Sequence, residues 1–254
     1  MTEVFRKVMP DFVFHLAGII VAEDPVLVYQ VNVHYTLNLL RAMMLAGLGA
    51  VPILLVGTAA EYGWVDQKEL PIREDHRCQP LEHYGISKLA QTLIGMAAAH
   101  TGRPVVVVRP GNIVGPGMGG HLVLARAAKQ VASIMQRKQE PLVEMGNLET
   151  ARDFIDVSDA VRIYWELVQT PVAYGEIVNV CTGNPVAVGS IVERLIALSG
   201  TQMDVVSRSQ NFKKWDLPVY CGSNDKLKRF LGWVPGFQID RSLKAILDSC
   251  LENS

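Results

Sequence analysis

The run Val105-Val-Val-Val108 has no polar residue to turn toward water, and Val51 to Val56 is nearly as apolar. A strand of this kind must be covered on both faces, as a central strand of a parallel sheet is, because each parallel connection carries a helix back across the sheet. The surrounding segments agree. Asp11 to Ala17 reads as another strand, whereas Asp24 to Leu45 and Glu82 to His100 have the length and apolar spacing of packed helices. An α/β layer fold is therefore predicted. Further on, the expected elements are a helix from Gly120 to about Lys138, strands at Pro141 to Met145, Phe154 to Val157 and Ile177 to Val180, and a helix from Ser158 to Gln169. Ser158 is expected to cap that last helix, with Asp159 favouring its first turn. From Val188 the elements shorten: helix Ser190 to Leu198, strand Met203 to Val206, polar stretch Ser207 to Asp216, and helices at Asp225 to Leu231 and Asp240 to Leu251. Together with Val114 to Arg152 they read as a smaller domain assembled from separated segments.

At 254 residues, 49% hydrophobic and 19% charged, the chain can bury one large core or two smaller ones. With 24 basic against 25 acidic residues it has no net field to recruit nucleic acid or an anionic membrane, so a small-molecule partner is expected. Cys78, Cys181, Cys221 and Cys250 are dispersed, with no C-x-x-C pair and no histidine cluster beside them. Neither a zinc site nor a disulfide framework is indicated, which suits a reducing cytoplasm. Phe12 to Val21 follows Arg6 and Lys7 as the apolar part of a secretory signal would, but Asp11 and His15 interrupt it and no cleavage pattern follows. A buried strand accounts for the run. No segment reaches the ~20 apolar residues that span a bilayer, so a soluble, cytoplasmic protein is expected.

The chemistry centres on Tyr84-Gly-Ile-Ser-Lys88, on the helix that follows strand Val51 to Val56 and the loop bearing Thr58. Four residues is about one helical turn, so the Lys88 ammonium can lie near the Tyr84 phenol. A nearby cation favours phenolate and is expected to lower the tyrosine pKa toward the range of a working acid or base. By itself the spacing is common, and a surface tyrosine with a solvated lysine satisfies it equally. The six histidines show no ligand spacing and read as structural or solvated.

The order of features is more specific: a strand ending His15-Leu-Ala-Gly18, a helix, a strand ending Val56-Gly57-Thr58, the loop Glu61-Tyr-Gly63, then Tyr84 and Lys88, then Arg109-Pro-Gly-Asn112. This order resembles the extended short-chain dehydrogenase/reductase family of sugar-nucleotide epimerases, dehydratases and reductases. Lys138 through Asp159, then Tyr164-Trp165 and Asn179-Val-Cys-Thr-Gly183, resemble its GDP-4-keto-6-deoxy-D-mannose reductase branch. The resemblance runs from Pro10 onward. It implies a Rossmann-like parallel sheet with a smaller α+β substrate domain, residues 1–113 and 153–183 forming the dinucleotide-binding part and 114–152 and 184–254 the substrate part. It also implies NADP or NAD as cofactor, a nucleotide-sugar substrate and a homodimer.

Carried over residue by residue, the resemblance makes Thr58 the hydroxyl that meets the substrate oxygen, Tyr84 the acid/base, and Lys88 the residue that tunes Tyr84 and holds the nicotinamide ribose. Leu16, Ala17 and Gly18 match the strand end that passes the cofactor, and Gly111 and Asn112 the turn that meets nicotinamide and sugar. Arg152 matches the guanidinium on the substrate diphosphate, although an arginine beside an aspartate also suits a structural ion pair. Lys213, in Lys213-Lys-Trp-Asp216, stands where the branch carries Arg-Pro-Ser-Glu, and a lysine meets phosphate as a point charge without bidentate geometry.

Family dehydratases place a carboxylate two residues after the active hydroxyl, and epimerase-reductases a cysteine; here that residue is Ala60. Loss of such a proton carrier costs roughly 10²- to 10⁴-fold, which disfavours dehydration and epimerisation at C3 and C5 and leaves hydride transfer at C4. A 4-epimerase would use the same three residues. Family members also carry a strand, a Gly-rich phosphate turn and two further βα units before the segment that here begins at Met1, so roughly sixty residues of the nucleotide-binding half are expected to be missing. A chain without that turn could bind a nucleotide sugar or a partner protein without chemistry. Gly115, Gly117 and Gly120 imitate G-x-G-x-x-G, but Pro110 to Val114 separate them from the strand end that the fingerprint requires, and they come after Tyr84. They read instead as a flexible entrance to the substrate domain.

Overall fold

The computed structural model describes residues 1–120, 122–209, 217–236 and 239–252, and divides into two units. The first comprises Met1–Gly111, Val161–Val180 and Gly222–Val234, and the second Asn112–Ala160, Cys181–Cys221 and Pro235–Ser254. In chain order the helices are α1 (Thr2–Val8), α2 (Pro25–Tyr29), α3 (Tyr35–Leu45), α4 (His83–His100), α5 (Val123–Met135), α6 (Val157–Val168), α7 (Val188–Ser199), α8 (Asp225–Leu231) and α9 (Ile239–Glu252). The strands are β1 (Val13–His15), β2 (Ile53–Val56), β3 (Val105–Pro110), β4 (Asn112–Val114), β5 (Leu142–Met145), β6 (Ala151–Asp156), β7 (Ile177–Val180), β8 (Pro185–Ala187) and β9 (Asp204–Ser207).

In the first unit β1, β2, β3 and β7 pair in that order, all parallel, with Leu55 opposite Val107 and Val108 opposite Val178. All six residues of β3 are buried, as a strand without a polar face demands. Ile53, Leu55, Val105 and Val107 share one face with Leu39, Leu40 and Met43 of α3, and each of these side chains gains about 1.5–3 kcal/mol from burial. The predicted helix from Asp24 to Leu45 is interrupted by a π-helical turn, Gln30–His34, between α2 and α3. The wider turn carries Asn32, which is fully buried and donates to the Ile19 carbonyl and to the Ser87 hydroxyl, both at 2.9 Å.

The second unit packs α5, α7 and α9 around Val131, Ile191, Leu195, Leu243 and Ile246, with Val143 and Met145 of β5 and Phe154 of β6 completing the core. Strands β4, β6 and β8 form one small sheet, and β5 pairs with β9. The start of α6 differs from expectation. The helix begins at Val157, and the Asp156 carboxylate, not Ser158, is the capping group: it accepts the Ser158 N–H at 2.7 Å and a hydrogen bond from the Ser242 hydroxyl. A carboxylate one residue earlier satisfies an orphan N–H of the first turn and suits the positive end of the helix dipole. Among the described residues no helix is long and apolar enough to cross a membrane.

Candidate active site

β2 runs through Gly57 into a 3-10 turn, Ala59–Glu61, whose N-cap is Thr58. The spacing Thr-x-x-Glu builds a reciprocal capping box. The Thr58 oxygen accepts the Ala60 N–H at 3.3 Å, and the Glu61 carboxylate accepts the Thr58 N–H at 3.0 Å. With its oxygen engaged as an acceptor, the Thr58 hydroxyl keeps its proton for donation, and it lies near enough to the Tyr84 phenol to stabilise the phenolate.

Tyr84 stands in the first turn of α4, half-buried. Burial raises its pKa above the ordinary tyrosine value; the Thr58 hydroxyl pulls it down, and the negative charge of Glu61 pushes it up. This reverses the sequence expectation of a phenol lowered by Lys88. Lys88 lies one turn along α4 and is 4% exposed, but its ammonium donates to the Val56 carbonyl at 2.7 Å and to the Gln91 side chain at 2.8 Å. Desolvation therefore decides the state of Tyr84. The Lys88 ammonium is itself lowered to about 8 by burial, with Glu61 opposing. Gly18 lies close by: a Cβ there would stand 3.2 Å from the Asn32 Oδ1 and 3.3 Å from the Lys88 Nζ. Leu16 and Ala17, like Gly18, are exposed where the chain leaves β1.

The sequence reading gave no role to four further side chains, His15, Glu61, Tyr62 and Arg109. His15, 6% exposed, shares a 2.9 Å hydrogen bond with the Thr36 hydroxyl, and burial together with the Lys88 charge lowers its pKa to about 4. Glu61, completely buried, forms an ion pair with the Arg109 Nε at 2.8 Å. The Arg109 guanidinium lies 4.7 Å from the Tyr62 ring centroid, and the Tyr62 hydroxyl donates to Asn179 of β7 at 2.6 Å. Thr58-x-x-Glu61 was a legible capping signal. Nothing local announced that its partner would be an arginine 48 residues away.

The remaining predicted residues are placed as follows. The Gly111 N–H donates to the Val180 carbonyl at 3.0 Å. Asn112, in the second unit, is half-buried on β4 opposite Phe154. Arg152 is on β6, its Nη1 donating to the carbonyls of Ala151 and Leu217, both at 2.8 Å. Its neighbour Asp153 is buried, accepting the Thr182 N–H at 2.8 Å and hydroxyl at 2.6 Å and the Gly183 N–H at 2.9 Å. Lys213 falls outside the described residues. The geometry thus brings Thr58 together with Tyr84, and Lys88 with Gly18, at the carboxyl ends of β1 and β2. The glycines at 115, 117 and 120 lie between β4 and α5 in the second unit, whereas the four-stranded sheet belongs to the first.

A hydroxyl facing a protonated phenol, with a buried ammonium beside a glycine, equips the site to deliver a proton to one oxygen. The family model described as GDP-mannose 4,6 dehydratase matches residues 1–246. The GDP-6-deoxy-D-mannose reductase of Pseudomonas aeruginosa is 34% identical over 244 residues, which cover 94% of this chain and 80% of that protein. The GDP-6-deoxy-D-talose 4-dehydrogenase of Aggregatibacter actinomycetemcomitans is 31% identical over 252 residues, 98% of this chain and 82% of that one. The solved structure of RMD from Pseudomonas aeruginosa complexed with NADPH is similar with a TM-score of 0.89 at 32% identity, covering 96% of this chain and 82% of that one.

Proposed function

The chain belongs to the GDP-mannose 4,6 dehydratase family, among the extended short-chain dehydrogenases/reductases, and from that premise we propose that it reduces the C4 ketone of a 4-keto-6-deoxy sugar nucleotide. GDP-4-keto-6-deoxy-D-mannose is the proposed substrate, with NADPH or NADH as reductant. The observation that carries this reading is the Thr58 turn. It offers a hydroxyl beside Tyr84, then the methyl groups of Ala59 and Ala60, while its carboxylate, Glu61, is buried against Arg109. A proton donor is ready for an oxygen, and no side chain of that turn is free to take a proton from a ring carbon.

The chemistry that a reduced nicotinamide supplies when bound is hydride transfer. The chain's own residues do the rest. Thr58 donates to the C4 oxygen, and Tyr84, kept protonated by burial, gives its proton to that oxygen as it becomes an alkoxide. Lys88 has three donors, of which Val56 and Gln91 engage two, and the third is offered to the nicotinamide ribose. The residues fit such a ligand: at Gly18 the backbone leaves open the space beside Lys88 that any side chain would fill. Leu16, Ala17 and Gly111 supply backbone along the same strand ends, where ligands of parallel sheets bind. Asn112 is assigned to the sugar, and Arg152, anchored on two carbonyls, to the diphosphate. The first unit is thus read as the cofactor part and the second as the substrate part.

Tyr84→Phe tests the reading: turnover is expected to vanish while circular dichroism and melting stay unchanged, and undiminished turnover would sink it. A homodimer is supported by apolar side chains one face apart on two helices, Leu37 and Met44 of α3 at 45% and 57% exposure and Ile86 and Leu93 of α4 at 40% and 61%. Light scattering that returned the mass of a single chain would exclude it. A reducing, cytoplasmic setting is supported by four cysteines dispersed along the sequence with no C-x-x-C pair among them.

A further inference from the structure

The buried pair beneath Thr58 is an unusual investment for a surface turn. An exposed glutamate would close a capping box equally well, and an ion pair taken fully out of water gains little or nothing in stability over apolar side chains of the same size. Glu61 and Arg109 are nonetheless 0% and 3% exposed in their side chains. The packing around them leaves no slack. A Cβ on Gly57 would stand 2.3 Å from the Glu61 Oε1 and 2.9 Å from the Val108 carbonyl, so the carboxylate reaches the Thr58 N–H only because residue 57 has no side chain. Arg109 is fixed in turn by the Tyr62 ring and by a 3.4 Å hydrogen bond to the Glu74 carbonyl. Tyr62 is tied to Asn179, whose own N–H donates to the Glu74 carboxylate at 2.9 Å.

We propose that Glu61, clamped by Arg109, is a positioning residue: it locks the Thr58 turn so that the hydroxyl donates toward the reacting oxygen, and it holds a fixed negative charge within reach of Tyr84 and Lys88. The inference rests on the reductase reading. The first arm follows from the capping box, and the second from where the carboxylate sits: it accepts the Thr58 N–H, two residues along the chain from the Val56 carbonyl that holds the Lys88 ammonium. The Glu61–Thr58 bond fixes the backbone from which the hydroxyl projects, and the Ala60 N–H takes up one lone pair of the hydroxyl oxygen, so its proton points away from the turn, toward Tyr84 and the oxygen that Tyr84 serves. Burial raises the pKa of the Glu61 carboxyl and the Arg109 guanidinium pulls it back down, and the charge so held keeps the acid form of both neighbours: Glu61 raises Tyr84 and opposes the fall of Lys88. The other ionisable groups that face them are Tyr164 of α6 toward Tyr84 and His15 of β1 toward Lys88, and both are neutral near pH 7.

The test uses the whole chain without ligand first. Tyrosines are labelled with ¹³C at Cζ, the Tyr84 signal is assigned by its loss in Tyr84→Phe, and its titration is followed toward alkaline pH. In Glu61→Gln the Tyr84 midpoint moves to lower pH, and the alkaline limb of the kcat profile moves the same way. The kcat falls roughly ten- to hundredfold with KM nearly unchanged, the signature of a misplaced donor. Glu61→Asp keeps the charge in a smaller side chain and covers the case in which Glu61→Gln does not fold: kcat falls while the alkaline limb stays in place. An unmoved Tyr84 midpoint in folded Glu61→Gln, or a wild-type kcat in Glu61→Asp, overturns the inference. The titration needs no substrate, so a moved midpoint in a chain that reduces no keto sugar refutes the reductase reading and leaves the electrostatic role of Glu61 standing.

Discussion

Replacing His15 with glutamine tests the electrostatics of the β1 strand end through stability alone. Folding lowers the His15 pKa from 6.5 to about 4, first by burial and then by the Lys88 charge. Between those values the unfolded chain holds a proton that the native state refuses, so stability is full above the unfolded pKa and is lost as pH falls toward the folded one. Each unit of difference is worth 1.36 kcal/mol, which sets the whole effect at about 3 kcal/mol. Integration from about pH 7.5 down to about pH 5 gives a loss of about 2 kcal/mol. Glutamine keeps a polar group for the Thr36 hydroxyl, which His15 meets at 2.9 Å, but it does not titrate. The assay is urea unfolding of wild type and His15→Gln at both pH values. Groups other than His15 that titrate in the same window are common to both proteins and cancel in the comparison. The wild type is expected to lose about 2 kcal/mol more than the variant over the interval. Parallel losses in the two proteins would refute the burial argument.

Other outcomes follow from close approaches and caps. Gly57→Ala forces a methyl group against the Glu61 carboxylate and the Val108 carbonyl, and is expected to lower unfolding free energy by about 1–3 kcal/mol and turnover with it; a variant as stable and active as wild type would contradict the packing. Gly18→Val fills the space beside Asn32 and Lys88, so NADPH titration by fluorescence should show an affinity at least tenfold weaker, with little change in melting because residue 18 is exposed. Asp156→Ala removes the α6 cap and the Ser242 bond and should cost about 1–2 kcal/mol in urea unfolding, whereas Ser158→Ala should cost less; the reverse order would restore Ser158 as the cap.

What the sequence made legible was whatever short-range pattern encodes. Val105 to Val108 announced a strand covered on both faces because no residue in it tolerates water, and Ile177–Val180 and Asp225–Leu231 fall where expected. The three-residue strands β4 and β8 were not foreseen, since each depends on partners in β6 rather than on its own pattern. The π-helical turn was hidden for the same reason: Asn32 widens the helix to reach Ile19 and, 55 residues on, Ser87. Tyr84 and Lys88 stand one turn apart on α4 as their spacing implies, but the direction of the Tyr84 shift depends on desolvation and on Glu61, neither of which one turn of helix reveals. Ser158 looked like a cap because serine is a good one; Asp156, immediately before Val157, is a better one at a helix that starts a residue earlier.

In the proposed reaction a reduced nicotinamide gives its hydride to C4 of a 4-keto-6-deoxy sugar nucleotide while Tyr84 protonates the oxygen. Incubation with GDP-4-keto-6-deoxy-D-mannose and NADPH deuterated at the transferable position, followed by NMR of the sugar, tests it directly. The expected outcome is oxidation of the cofactor and a 4-hydroxy product carrying deuterium at C4, with no deuterium at C3 or C5. Recovery of unreduced keto sugar beside intact NADPH would contradict it.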